Sequence, residues 1–173
     1  MLKKISIFLT TILVSWIFTW CSLSTISPVA YNDKIIDIIY LVDDIYEAYN
    51  TYAEETSFAF NHRIEERRLK TIKEIQGLMD KLEDIPAFGN DSTLIDIARE
   101  YTTSIIGFLE NEDRRLVELW DELETIEENE YNRRQEAIVE SFNTKYEAIN
   151  DKFIKVQEAF AQRHGYELIH EDR

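Results

Sequence analysis

The sequence predicts an all-α protein: an up-and-down antiparallel four-helix bundle with coiled-coil-like packing, behind an N-terminal hydrophobic export segment. Three observations predict it. Apolar residues past residue 30 recur at steps of three and four, the spacing that lines one face of an α-helix. Glycine and proline, which punctuate strands and loops, number only four and two in 173 residues. Residues 5–20 carry no charge and follow Lys3 and Lys4, the layout of a basic n-region before an apolar export segment.

That leader comes first in the chain. Residues 1–30 are read as a signal peptide or a membrane or lipid anchor, and residues 31–173 as an acidic helical bundle. The two lysines would stay on the cytoplasmic side. Three fates are open. Cleavage would fall in the small, polar stretch after Trp20, where Ser22-Leu23-Ser24 and Thr25-Ile26-Ser27 each offer small residues at the −3 and −1 positions, and Ala30 is a third option with Pro28 at −3. Lipidation would use Cys21, which stands where a lipoprotein cysteine would, although the residue before it is Trp20 and not a small one. Retention as an anchor is also possible by length: Ile5 to Ile26 reaches the roughly 20 apolar residues that span a bilayer, with Trp16 and Trp20 suited to its interface.

The first helix is expected over about 32–52, where Ile35, Ile39, Val42, Tyr46, Tyr49 and Ala53 form one stripe. Continued in phase, that stripe runs onto Thr56, Phe60, Arg63, Arg67 and Lys70, most of them not core residues, so a break is expected between about residues 50 and 64, with Thr51 and Glu54 as a capping box. The second helix, about 57–84, carries Ile72, Ile75, Met79 and Leu82. Pro86, Gly89, Asn90 and Asp91 then mark a turn, after which Thr93 and Asp96 have the spacing of a cap.

The third helix, about 92–125, carries Leu94, Ile97 and Tyr101 and then, after a polar patch, Leu116, Leu119, Leu123 and Ile126. A second phase break places a turn near residues 125–132, with Thr125 and Glu128 as its capping box. The fourth helix, about 129–164, has the longest stripe: Val139, Phe142, Tyr146, Ile149, Phe153, Val156 and Phe160. The competing arrangement is two long helices, 31–84 and 92–164, with stutters in place of turns.

Composition limits function. The chain has net charge −15; residues 1–30 hold two lysines and no acid, so 17 basic side chains face 34 acidic ones in the remainder. Such a surface repels phosphate backbones, and no nucleic-acid partner is expected. It favours basic or cationic partners. Cys21 is the only cysteine, so no internal disulfide, no multi-cysteine zinc site and no paired-cysteine haem attachment can form.

Candidate chemistry is sparse. Asp121, Glu122, Glu124, Glu127, Glu128 and Glu130 crowd the third turn, with Glu54 and Glu55 at the first, and clustered carboxylates can bind Ca²⁺. No Asp-x-Asp-x-Asp-Gly loop holds them, and Arg114, Arg115, Arg133 and Arg134 stand near enough to pair with them. A solvated charged face is the plainer reading. Glu167 and His170 match Glu-x-x-His, but di-metal bundles need two such motifs. His62 and His164 are expected near helix ends without a ligand set. Ser57, Ser92, Ser104 and Ser141 lack a His/Asp set of the kind that activates a nucleophile. No catalytic residue, metal ligand or cofactor is assigned. Tyr46, Tyr49, Tyr101, Phe108, Trp120, Phe142, Tyr146, Phe153 and Phe160 are read as core, with an apolar ligand pocket as the alternative. Gly107, inside a helix, would allow close helix contact or mark a kink.

The leader, Tyr31-Asn32-Asp33-Lys34-Ile35, the turn Ala87-Phe88-Gly89-Asn90-Asp91 and the ending Phe153 to Leu168 resemble a family of uncharacterised bacterial helical surface and envelope proteins, many with lipoprotein-type leaders. The resemblance covers most of the chain past the leader. It implies a helical fold and a cell-envelope or surface location, and no activity. Trp20 before Cys21 departs from its lipoprotein pattern.

The expectation is therefore a non-catalytic, exported envelope or surface protein, an interaction or structural helical module. Its partners would be an unidentified protein or envelope component, and the membrane through the N-terminal segment if that is retained or lipidated. The alternatives are a carrier of a small apolar ligand in the bundle core, and a metal-binding or enzymatic bundle. Oligomeric state is open at this level.

Overall fold

The computed structural model describes residues 26–56 and 61–168. The leader through residue 25, Cys21 included, and His170 lie outside them. The described residues are helical apart from turns and an isolated antiparallel bridge between Phe88 and Asp91. Four helical rods follow in order: α1 (Pro28–Glu55), α2 (Asn61–Glu83), a third rod and α5 (Glu128–His164). The third rod consists of α3 (Thr93–Phe108), a π-helical turn (Leu109–Asp113) and α4 (Arg114–Asp121). The all-helical expectation thus holds. Among the described residues no helix is long and apolar enough to cross a membrane.

Both expected phase breaks are real, which removes the two-long-helix alternative. α1 stops at Thr56, whose backbone is extended (φ −85°, ψ 125°). The third rod stops at Asp121, and α5 starts after extended Glu127. The caps differ from the expected ones. Thr51 and Glu54 lie inside α1, because Tyr49 and the partly buried Tyr52 and Ala53 continue its packed face for another turn. Thr125 turns its hydroxyl back onto the Glu122 carbonyl at 2.8 Å, so it closes the turn and does not cap α5. Thr93 is capped by Asp91, whose Oδ1 accepts both the Thr93 N–H at 3.0 Å and the Thr93 hydroxyl at 2.7 Å. α1 begins four residues earlier than expected: Pro28 occupies the first turn, where its missing N–H costs nothing, and the Ser27 hydroxyl accepts the Ala30 N–H at 3.1 Å.

One continuous core runs along the rods, from Tyr31 and Phe160 near the Pro86–Asp91 turn to Phe108 and Val117. Polar pairs interrupt it and join particular helices at particular heights. Gln157 donates to Asn32 Oδ1 at 3.1 Å, and Tyr101 donates to Asp43 Oδ1 at 2.8 Å. Arg99 lays its Nη2 across the carbonyls of Leu82, Glu83 and Ile85 at 3.1–3.3 Å, a cation closing the C-terminus of α2. Burial pushes the Asp43 carboxyl up to about 6, against the lowering effect of its Tyr101 hydrogen bond.

Two stripe positions shift by one residue. Leu78 is buried and Met79 half-buried. On α5, Ile138 is 3% exposed and Val139 41%. The second shift has a cause in the packing. At the end of the bundle away from the Pro86–Asp91 turn, α5 leans onto α4 through a small separate core of Leu119, Tyr131 and Ile138. It therefore parts from α1, and the α5 stripe is left facing a gap. Leu123, expected on the third stripe, is 39% exposed because the helix has already ended.

Candidate functional site

The gap is a cleft of about 510 Å³, walled by the C-terminal half of α1, the third rod and the N-terminal half of α5. Its apolar wall consists of Tyr46 and Tyr49 from α1, Leu116 and Trp120 from α4, and Val139 and Phe142 from α5. Asn50, Gln135 and Asn143 contribute polar side chains. Tyr46 lies 6.0 Å from Phe142, tilted against it, and 6.4 Å from Tyr49, stacked with it, centroid to centroid.

The same cleft is lined by two acidic residues of the π turn, Glu112 and Asp113. A π turn inserts one residue into the helical ladder, and such insertions often mark functional positions. Here two residues of the polar patch of the third rod face inward, Glu112 at 3% exposed and Asp113 at 8%, while Glu110, Asn111, Arg114 and Arg115 stay exposed. The structure thus turns an apparent interruption of the third stripe into buried charge. Gly107 precedes this turn and has open space where a Cβ would stand, so it serves no close helix contact. Its carbonyl accepts the Asn111 side-chain amide at 2.7 Å.

Each buried charge has a different partner. Lys145 Nζ meets Glu112 Oε1 at 2.5 Å, and the Ser141 hydroxyl donates to the same oxygen at 3.2 Å. Arg68, 4% exposed, forks onto both Glu65 oxygens at 2.7 Å and donates Nη1 to the Leu109 carbonyl at 2.7 Å. That carbonyl opens the π turn, so α2 braces the irregular backbone with a charged donor. Asp113 Oδ2 accepts the Tyr46 hydroxyl at 3.2 Å. Burial pushes the Asp113 carboxyl up to about 7, opposed by that hydrogen bond and the Arg68 charge and reinforced by Glu112. Burial also raises the Tyr46 and Tyr49 phenols, with Asp113 adding to both.

The other candidates read from sequence fall elsewhere. Among the acidic residues at the turn before α5, Glu122 pairs with Arg134 at 2.5 Å and Glu130 with Arg133 at 2.7 Å. Arg114 pairs with Glu118 at 3.5 Å. Among the described residues no group of three or more His, Cys, Asp or Glu is placed to hold a metal ion. His164 closes α5 and contacts Asp91 Oδ2 at 3.0 Å, beside Arg163 Nε at 3.0 Å on the same oxygen. Ser141 is drawn into the Glu112 cluster. Ser92 precedes α3, and Ser104 bonds its own helix at the Glu100 carbonyl. All these aromatic residues belong to or pack against the continuous core; Tyr46, Tyr49, Trp120 and Phe142 also line the cleft, while Tyr101, Phe153 and Phe160 do not.

Sequence reading missed Arg68, Glu112 and Asp113. A signal existed for the last two, since they fall in the polar run from Glu110 to Arg115 that interrupts the stripe of the third helix. Arg68 carries none, because it lies among Arg63, Arg67 and Lys70 in a strongly charged stretch. No family model matches the chain, and no curated protein or solved structure matches it either.

Proposed function

We propose that this chain is a non-catalytic, exported binding module of the cell envelope that holds a small ligand in the cleft between α1, α4 and α5. The observation that carries this reading is the cleft itself. Its 510 Å³ lies within the range of small-molecule sites, and it combines an aromatic wall with a few convergent polar groups. Val139 strengthens the reading: a valine at core spacing on α5 stays 41% exposed and faces the cleft, where a ligand would cover it. Export rests on Lys3, Lys4 and the uncharged run behind them. The envelope location rests on that leader and on the resemblance to bacterial surface proteins.

A fluorescent apolar dye titrated into the full chain tests the site. Saturable binding at one dye per chain, lost in Val139→Trp, is expected, because the indole fills the cleft from an exposed position and leaves the core intact. Dye binding unchanged in that variant, or no saturable binding at all, refutes it. Intact-mass analysis of protein from its native membrane fraction tests the leader. Cleavage after residue 24, 27 or 30 is the expected result; acylated Cys21 would make the bundle a lipid-anchored module, and an unprocessed cytoplasmic chain refutes export.

A further inference from the structure

The charge balance at the floor of the cleft points to the ligand's chemistry, on the basis of the cleft reading above. Three carboxylates line the cleft, Glu54, Glu112 and Asp113; Glu54 is exposed to solvent, while Glu112 and Asp113 are buried. Of the two buried ones, Glu112 is matched by Lys145 at 2.5 Å, and the nearby Arg68 is already paired with Glu65 at 2.7 Å. Asp113 is met instead by a neutral phenol, Tyr46, at 3.2 Å. The floor therefore carries one carboxylate in excess, inside a pocket walled by aromatic rings. A buried carboxylate without a matching cation is costly, and a ligand that supplies the cation removes that cost. Tyr46, Tyr49, Trp120 and Phe142 line the same pocket, and an aromatic lining favours a cation over an anion. The chain's net charge of −15 draws cations to the surface and repels anionic lipids and acids.

We propose that the cleft binds a small organic monocation, a protonated or quaternary amine on an apolar or aromatic body, with the ammonium group against the Asp113 carboxylate and the body against Tyr46, Tyr49, Trp120 and Phe142. Glu112 and its Lys145 partner stand beside this position and contribute no net charge to it. The amides of Asn50, Gln135 and Asn143 provide hydrogen bonds to polar substituents.

Binding is then coupled to protons. The titratable and charged groups around Asp113 are Tyr46 and Tyr49 from α1, Arg68 with its Glu65 partner from α2, Glu112 from the π turn, and Lys145 from α5 behind Glu112. With its carboxyl held near 7, Asp113 is mostly neutral at pH 6 and mostly ionised at pH 8. A monocation that requires the ionised form should bind roughly tenfold more tightly at pH 8 than at pH 6.

Calorimetric titration of the full chain with three ligands of one shape decides the matter: phenethylamine, the neutral phenethyl alcohol and the anionic hydrocinnamate. The amine is expected to bind at least about tenfold more tightly than the alcohol, the fold-change of one charge-assisted hydrogen bond, and the anion not at all. Asp113→Asn keeps the side-chain shape and the Tyr46 hydrogen bond; it should erase the preference, so that in this variant the amine binds no more tightly than the alcohol. The pH dependence in the unsubstituted chain is a second reading that needs no variant. Equal binding of amine and alcohol, preference for the anion, or an amine preference that survives Asp113→Asn overturns the cation inference and leaves the ligand-site reading standing. If none of the three binds and the dye also fails, both fall.

Discussion

Asp113→Asn should flatten the dependence of stability on pH. The Asp113 carboxyl titrates near 7 in the fold, against an ordinary 3.8 in the unfolded chain. A carboxyl raised by folding binds its proton more tightly in the native state. The stability it contributes is therefore fully present below about 3.8 and is lost as pH rises through about 7. Worked between the two forms, the linkage supplies about 3 kcal/mol at pH 5 and close to zero at pH 8.5. Asp43, held near 6, adds a smaller contribution of the same sign. The unsubstituted chain should thus be more stable at pH 5 than at pH 8.5. Urea titrations followed by far-ultraviolet circular dichroism measure the difference at both pH values. In Asp113→Asn that difference should shrink by about 3 kcal/mol, with the variant gaining most at pH 8.5, where an uncompensated carboxylate has been replaced by an amide. Stability curves that run parallel in the two proteins would show that Asp113 is solvated in the fold, and the description of the cleft floor would fail.

Three further changes probe the rest of the molecule through denaturant midpoints. Arg68→Met should cost about 2–4 kcal/mol, since it strands the buried Leu109 carbonyl and removes a charged donor while keeping most of the apolar volume. That loss should be larger at pH 8 than at pH 5, because the Arg68 charge favours the ionised form of Asp113, which is populated at pH 8. Phe160→Ala removes a fully buried ring packed among Tyr31, Phe88, His164 and Tyr166, and should cost about 3–5 kcal/mol. Asp91→Ala should weaken the acid limb. Burial pushes the Asp91 carboxyl up, but hydrogen bonds from the Thr93 hydroxyl and N–H, His164 and Arg163 bring it well below the ordinary range. Its stabilisation is therefore present above about pH 4 and is lost as pH falls through the lowered value. The variant should lose stability at pH 7 and show a correspondingly shallower decline below pH 4.

The sequence by itself determined the helical rods and their turns. Steps of three and four specify a helical face wherever enough apolar side chains must be buried together, and a phase break forces a turn because one straight helix cannot present two faces to one core. That logic placed the breaks within about residues 50–64 and near residues 125–132, where the structure has them at Thr56 and at residues 122–127, and it held for Ile35, Ile75, Tyr101 and Phe153. It failed by one residue at Val139, because periodicity reports which face is apolar and does not report which neighbour covers it. The lean of α5 onto Leu119 through Tyr131 and Ile138 decided that.

The candidate site belongs almost wholly to tertiary structure. Glu112 and Asp113 read as a solvated interruption of a stripe until a π turn rotates them inward. Arg68 reads as one charge among many until the carbonyl of Leu109, forty-one positions away, gives it a buried partner. The broken stripe marks the first only as an interruption and nothing local marks the second, since each depends on groups far apart in the chain meeting in a space that water has left. Apolar spacing is a property of a segment, and the sequence carries it. The fate of a charge depends on its surroundings, and only the packed bundle decides which carboxylate is matched by a cation and which, at Asp113, is not.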